Sequence, residues 1–99
     1  MDTASDALRT SVSDTASSTA LIAATAPGGQ REGLIVHNNS TSILYVAYGG
    51  TAAAISAGGY TYKIPADAHW EMPQPIYQGA IWAIWSADST GYASITELV

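Results

Sequence analysis

The 99-residue chain contains no cysteine. Disulfide cross-links and thiolate metal sites are therefore excluded, and the redox compartment leaves no mark on the sequence. Cations are scarce: Arg9, Arg31 and Lys63 stand against eight acids, for a formal net charge of −5. Binding to phosphate backbones needs several cations on one face, so nucleic acid is not an expected partner. The same shortage argues against attraction to an anionic membrane surface. No apolar run approaches the about 18 residues that would mark a membrane span. Met1 to Asp6 offer neither a basic start nor an apolar block, so no secretory signal is expected. The protein is expected to act inside a cell or to leave by a route such as lysis.

What is present suits one small domain. Apolar residues make up 47% of the chain, enough for a thin core. Charged residues make up only 11%, well below the usual proportion of about a quarter. The polar surface must then come from Ser, Thr, Asn and Gly, or surface must be hidden in an assembly.

Residues 1–18 differ from the rest: eleven of the eighteen are Ala, Ser or Thr. Leu8 and Val12 are the only sizeable apolar residues there after Met1. Such a segment buries little by itself and reads as a flexible N-terminal arm, with the folded domain spanning 19–99. From Thr19 onward, short apolar stretches alternate with turn residues. Thr19 to Thr25 is a candidate strand ending at Pro27-Gly28-Gly29. Glu32 to His37 carries Leu34-Ile35-Val36 and stops at Asn38-Asn39-Ser40-Thr41, residues that favour turns. Ser42 to Tyr48 follows, and the two read as a β-hairpin with a four- or five-residue loop. Ala52 to Ser56 is a weak strand. Tyr60 to Ile64 alternates well. Ala68 to Met72, bounded by prolines, suits a sheet edge. Ile76 to Ser86 is apolar on both faces around Ile81-Trp82-Ala83-Ile84-Trp85, and Tyr92 to Leu98 closes the set. Turn signals recur about every ten residues, the spacing of a β-sandwich or barrel. No stretch combines good helix formers with the helical period of about 3.6 residues.

Candidate chemistry is sparse. Asp67, His69 and Glu71 share one face at strand spacing, about 7 Å apart. Carboxylate and imidazole together can hold zinc. Consecutive positions along a strand diverge, however, and a charged edge strand also prevents unwanted sheet pairing. The second reading is preferred, with no metal and no cofactor expected. His37 reads as a polar cap at a strand end. No Gly-x-Ser-x-Gly elbow and no phosphate loop occurs, so no catalytic residue is assigned and no enzymatic activity is expected. Asn38-Asn39-Ser40 and Asn39-Ser40-Thr41 match glycosylation sequons but read better as turn chemistry. Trp82 and Trp85 are three positions apart, so an unbroken strand points them to opposite faces. Trp85 is expected in the core and Trp82 at a surface or interface. A platform for stacking on sugar rings is the alternative use of these tryptophans.

The order of short motifs from Arg31 to Leu98 resembles a module of tailed-phage virion proteins. The residues concerned are Arg31-Glu32-Gly33-Leu34-Ile35-Val36, Asn38-Asn39-Ser40, Leu44-Tyr45-Val46, Glu71-Met72-Pro73, Tyr77-Gln78-Gly79-Ala80-Ile81, Ile84-Trp85-Ser86 and Thr96-Glu97-Leu98. The departure is Trp82, where the pattern has a small or hydroxylated residue. The resemblance implies a structural role on the virion, such as capsid cement or the base of a head fibre.

The expectation is therefore an all-β, single-domain antiparallel sandwich of jelly-roll character, with seven or eight strands and an N-terminal arm. It would coat the capsid exterior, with the major capsid protein and further copies of itself as partners. A trimer suits local shell symmetry. Leu8, Val12, Trp82, Tyr77 and Ile84 are the expected contact residues. The alternative is a carbohydrate- or receptor-binding module on a virion surface.

Overall fold

The computed structural model describes residues 7–22, 31–49, 54–55, 58–88 and 90–99. Within them lie eight strands and no helix: β1 (Ala7–Ser13), β2 (Thr19–Ile22), β3 (Gly33–Asn39), β4 (Leu44–Tyr48), β5 (Tyr62–Ile64), β6 (His69–Glu71), β7 (Ile81–Trp85) and β8 (Tyr92–Leu98). They form two antiparallel four-stranded sheets. Sheet 1 has the order β1-β8-β3-β6, and sheet 2 has the order β2-β7-β4-β5. The first four strands thus pair with the last four in reverse order: β1 with β8, β2 with β7, β3 with β6 and β4 with β5. Each step between consecutive strands crosses from one sheet to the other, except β4 to β5.

Alternation along the strands fills the space between the sheets. Leu34, Val36 and Asn38 of β3, Ala93 and Ile95 of β8, Leu44 and Val46 of β4, and Ile81, Ala83 and Trp85 of β7 are all buried. Leu21, Ile64 and Met72 complete this core. Trp85 is the largest side chain enclosed. Truncating such an aromatic typically costs about 3–5 kcal/mol.

Three features differ from the reading of the sequence. Residues 7–13, expected in an arm, form β1, which is in register with β8 from Ala7↔Leu98 to Ser13↔Tyr92. Most of β1 is exposed, and of its side chains only Val12 packs on the core. Backbone pairing with an existing edge makes this strand, so an apolar pattern is not needed. Secondly, β3 and β4 do not form a hairpin, because they belong to different sheets. The Asn38 side chain points inward and bonds the chain beyond the turn, which carries β4 across the sandwich. Thirdly, β7 begins at Ile81 and not at Ile76. The Arg31 guanidinium takes the carbonyls of Tyr77 and Gly79, which removes them from any ladder. The weak strand proposed at Ala52–Ser56 falls largely outside the described residues.

Candidate functional site

Asn38 organises one end of the sandwich. It is fully buried. Its Nδ2 donates to the carbonyl oxygens of Ser42 at 2.7 Å, Ile64 at 3.1 Å and Pro65 at 3.1 Å. Its Oδ1 accepts from Ser40 Oγ at 2.8 Å and from Trp85 Nε1 at 3.1 Å. One amide thus joins β3, the β3–β4 and β5–β6 connections, and β7. The sequence reading took Asn38 for a turn residue. The signal that marks it is its phase, since Leu34, Val36 and Asn38 all fall on the inward positions of one strand.

Arg31 is an internal clamp. Its guanidinium is fully covered; Nε donates to Glu97 Oε2 at 2.7 Å, and the nearby Nη1 serves the carbonyls of Tyr77 and Gly79. Its backbone N–H donates to Gln78 Oε1 at 2.8 Å, and its carbonyl accepts from Gln78 Nε2 at 2.8 Å. Beside the clamp sits an aromatic cluster. Tyr77 stacks on Tyr48 with centroids 4.7 Å apart, and Trp70 packs on Tyr62 at 4.9 Å. The Tyr48 hydroxyl and Trp70 Nε1 are buried without a hydrogen-bond partner. Burial, helped by the neighbouring Tyr62 and opposed by Arg31, pushes the Tyr48 hydroxyl up to about 12.

The outer faces of the two sheets differ. On sheet 2, register sets two cross-strand rows, Ala20–Trp82–Ala47 and Ile84–Tyr45–Lys63. Trp82 is flanked by two alanines, and Ala47 is buried beside it. Tyr45 meets Tyr60 edge-on at 4.9 Å. On sheet 1 the rows are Ser11–Ser94–His37–His69 and Arg9–Thr96–Ile35–Glu71. Ile35 is the one apolar residue of these two rows, and Ala7, Leu98 and Tyr92 lie at the ends of the same face.

The expected contact residues separate accordingly. Trp82 and Ile84 lie half-buried on the outer face of sheet 2, and Trp85 is enclosed on the other side of the same strand. Leu8 is 48% exposed on β1. Val12 is half-buried against the core, and the Tyr77 ring is committed to Tyr48 within the fold. The acidic and imidazole groups do not converge. Asp67 lies in the turn before β6, where its Oδ1 is 3.3 Å from His37 Nε2, while His69 and Glu71 point outward along β6. Among the described residues no three His, Cys, Asp or Glu side chains group as a metal site.

At the Asn38 end, the β3–β4, β5–β6 and β7–β8 connections enclose an open hollow of about 550 Å³. Tyr92, Asp67 and the segment Asn39 to Thr41 line it. Sequence reasoning did not single it out, because its walls come from three separate turns. A second, apolar slot of about 430 Å³ runs along Pro73 to Gln78 against Tyr48. No family model, curated protein or solved structure matches the chain.

Proposed function

We propose that this chain is a non-enzymatic structural protein of a phage virion, which binds the outer surface of the capsid and stabilises the shell. The observation that carries the reading is the apolar outer face of sheet 2. Tyr45 pairs there with Ile84, and Trp82 lies in the adjacent row opposite Ala47, on the side facing away from the core. Solvated sheet faces normally carry polar residues at such positions, and aromatic side chains are enriched at the centres of protein interfaces. The sequence of motifs from Arg31 to Leu98 supports the same assignment. The fold is read as a jelly roll, the two-sheet arrangement of eight strands that recurs in capsid and lectin domains. Reverse-order pairing between sheets β1-β8-β3-β6 and β2-β7-β4-β5 favours that description.

The mechanism is mechanical. A protein that binds only the assembled shell shifts the equilibrium toward it by mass action. Contacts repeated over many copies hold firmly even when each is weak. Copies of this chain would associate through the same face, and a trimer would match local threefold positions on a shell.

Electron microscopy of the particle that carries this protein tests the proposal directly. Ordered density outside the shell at symmetry-related positions, with Trp82 against a capsid or sister subunit, is the expected result. Density confined to the tail, or no association of purified protein with particles stripped of it, would overturn it.

A further inference from the structure

The hollow at the Asn38 end shares no residue with the face assigned to the shell, and its chemistry is different. Its volume of about 550 Å³ falls within the range of small-molecule sites, roughly 300–1,000 Å³. The Asn39 amide, the Thr41 and Thr90 hydroxyls and the Asp67 carboxylate are exposed around it. Together they offer both donors and acceptors. Tyr92 adds an aromatic ring that is 41% exposed.

Two of the lining groups are held in place from behind. Asp67 has φ of 59°, a left-handed conformation that Asp tolerates better than most residues. Its N–H donates to the Asn38 carbonyl at 2.8 Å, and its Oδ1 lies 3.3 Å from His37 Nε2. The second carboxylate oxygen can still accept a bond from a ligand. Gly91 is clasped by Asp14, donating to Asp14 Oδ2 at 3.3 Å and accepting from the Asp14 N–H at 3.1 Å. A Cβ on Gly91 would come within 2.4 Å of the Asn39 carbonyl and of Ser40 Cβ. Gly91 is therefore packed against the β3–β4 turn with no room for a side chain, which fixes the two turns that line the hollow relative to each other.

We propose that this hollow binds a neutral saccharide in its pyranose form. A pyranose presents an apolar C–H face, which suits Tyr92, and neighbouring hydroxyls that both donate and accept. A carboxylate accepts from such hydroxyls through strong, charge-assisted bonds, and an amide and two threonines complete the complement. The lining contains no cation, and Asp67 would repel a phosphate or carboxylate, so acidic sugars and nucleotides are disfavoured. A purely apolar ligand would strip water from Asp67 without replacing its bonds. Because the hollow is open, a single site binds weakly, and many copies on one particle would raise the avidity. The inference does not depend on shell binding, and either can fail without the other.

Amide chemical shifts of the full chain, followed during titration with methyl glycosides of glucose, galactose, mannose and N-acetylglucosamine, provide the test. Sialic acid serves as the anionic probe. Saturable shifts centred on Asn39–Thr41, Asp67 and Thr90–Tyr92 are expected with at least one neutral sugar and not with sialic acid. Asp67→Gly removes the carboxylate while still permitting the positive φ. It should weaken binding about tenfold or more, the scale of one charge-assisted hydrogen bond. Tyr92→Ala should do the same. Glu71→Gln, an exposed acid outside the hollow, should change nothing. Spectra elsewhere in the chain report whether each variant is folded, and Thr41→Ala replaces any variant that is not. Absence of saturable shifts with all four neutral sugars, binding indifferent to these substitutions in the hollow, or a stronger response to sialic acid would each overturn the proposal.

Discussion

The two sheets of this sandwich are alike inside and unlike outside. Both contribute a row of Leu, Ile, Val and Ala to a shared core, and the hydrophobic effect accounts for that without reference to function. Their outer faces carry no such obligation. Sheet 1 presents serines, a threonine, two histidines, an arginine and a glutamate around Ile35, with Ala7, Leu98 and Tyr92 at its ends. Sheet 2 presents Trp82, Ile84 and Tyr45, with Lys63 at one side. The inward set accounts for the core, and the proposed interface rests on the outer set of sheet 2.

The largest effect expected separates the two tryptophans of β7. Trp85→Ala should cost about 3–5 kcal/mol and leave Asn38 Oδ1 short of a donor, so the domain should be unfolded or nearly so by circular dichroism. Trp82→Ala should cost about 1 kcal/mol in isolated subunits and act mainly on assembly, read by sedimentation across concentrations. Equal losses in isolated subunits would erase the distinction between core and outer face.

Asn38→Ala comes next. It takes the amide partner from the indole N–H of Trp85 and from the Ile64 carbonyl in a buried setting, while the Ser42 carbonyl keeps Ser40 Oγ and the Pro65 carbonyl keeps the Ala68 N–H. Unsatisfied buried groups cost about 1–3 kcal/mol each, partly relieved by relaxation, so a total near 3 kcal/mol is expected from denaturant midpoints. A loss within about 0.5 kcal/mol would mean that the amide does not join the sheets.

Removing residues 1–15 sharpens the contrast from the side of sheet 1. It deletes β1, bares the edge of β8 and breaks the Asp14–Gly91 clasp. A loss of about 1–3 kcal/mol is expected, since few apolar contacts go with the strand. The bared edge should also favour association between chains, visible by light scattering. An unchanged melting temperature with no new association would return β1 to the status of an arm.

The smallest effect concerns Tyr48. Tyr48→Phe removes a buried hydroxyl that has no partner and should raise stability by about 1 kcal/mol. The hydroxyl's proton is held until about 12 in the folded chain, against an ordinary 10.0. Below pH 10 both folded and unfolded chains keep it, so its contribution is flat there. Between pH 10 and 12 the unfolded chain loses it first, and stability falls as pH rises through that window. Chemical denaturation should show the phenylalanine variant losing less stability than the parent between those pH values.

Much of the core was legible in the sequence, because alternation is a local signal. Leu34 and Val36, Ile81 and Trp85, and Tyr92 to Leu98 announced their strands directly. Pairing was not legible. Asn38 to Thr41 looks like any hairpin turn, and only the inward phase of Asn38 shows that the chain crosses between sheets. Strand β1 carries almost no apolar pattern, because β8 templates it through the backbone. The hollow was invisible for a related reason. Asn39, Asp67 and Thr90 belong to turns far apart in the chain, and no spacing rule links them before the sheets are assembled.

The reverse-order pairing has a consequence for the time course of folding. Among the described strands only β4 and β5 are both consecutive and bonded to each other; each other ladder joins strands separated by the segments that lie between them. Closing long loops before their contacts form slows folding, so the order of least entropic cost starts at β4–β5 and works outward. During synthesis β1 leaves the ribosome before the other seven described strands but cannot pair until β8 has been made. The earliest strand of this sandwich is thus the last to find its place, and it waits unpaired while the strands up to β8 are made.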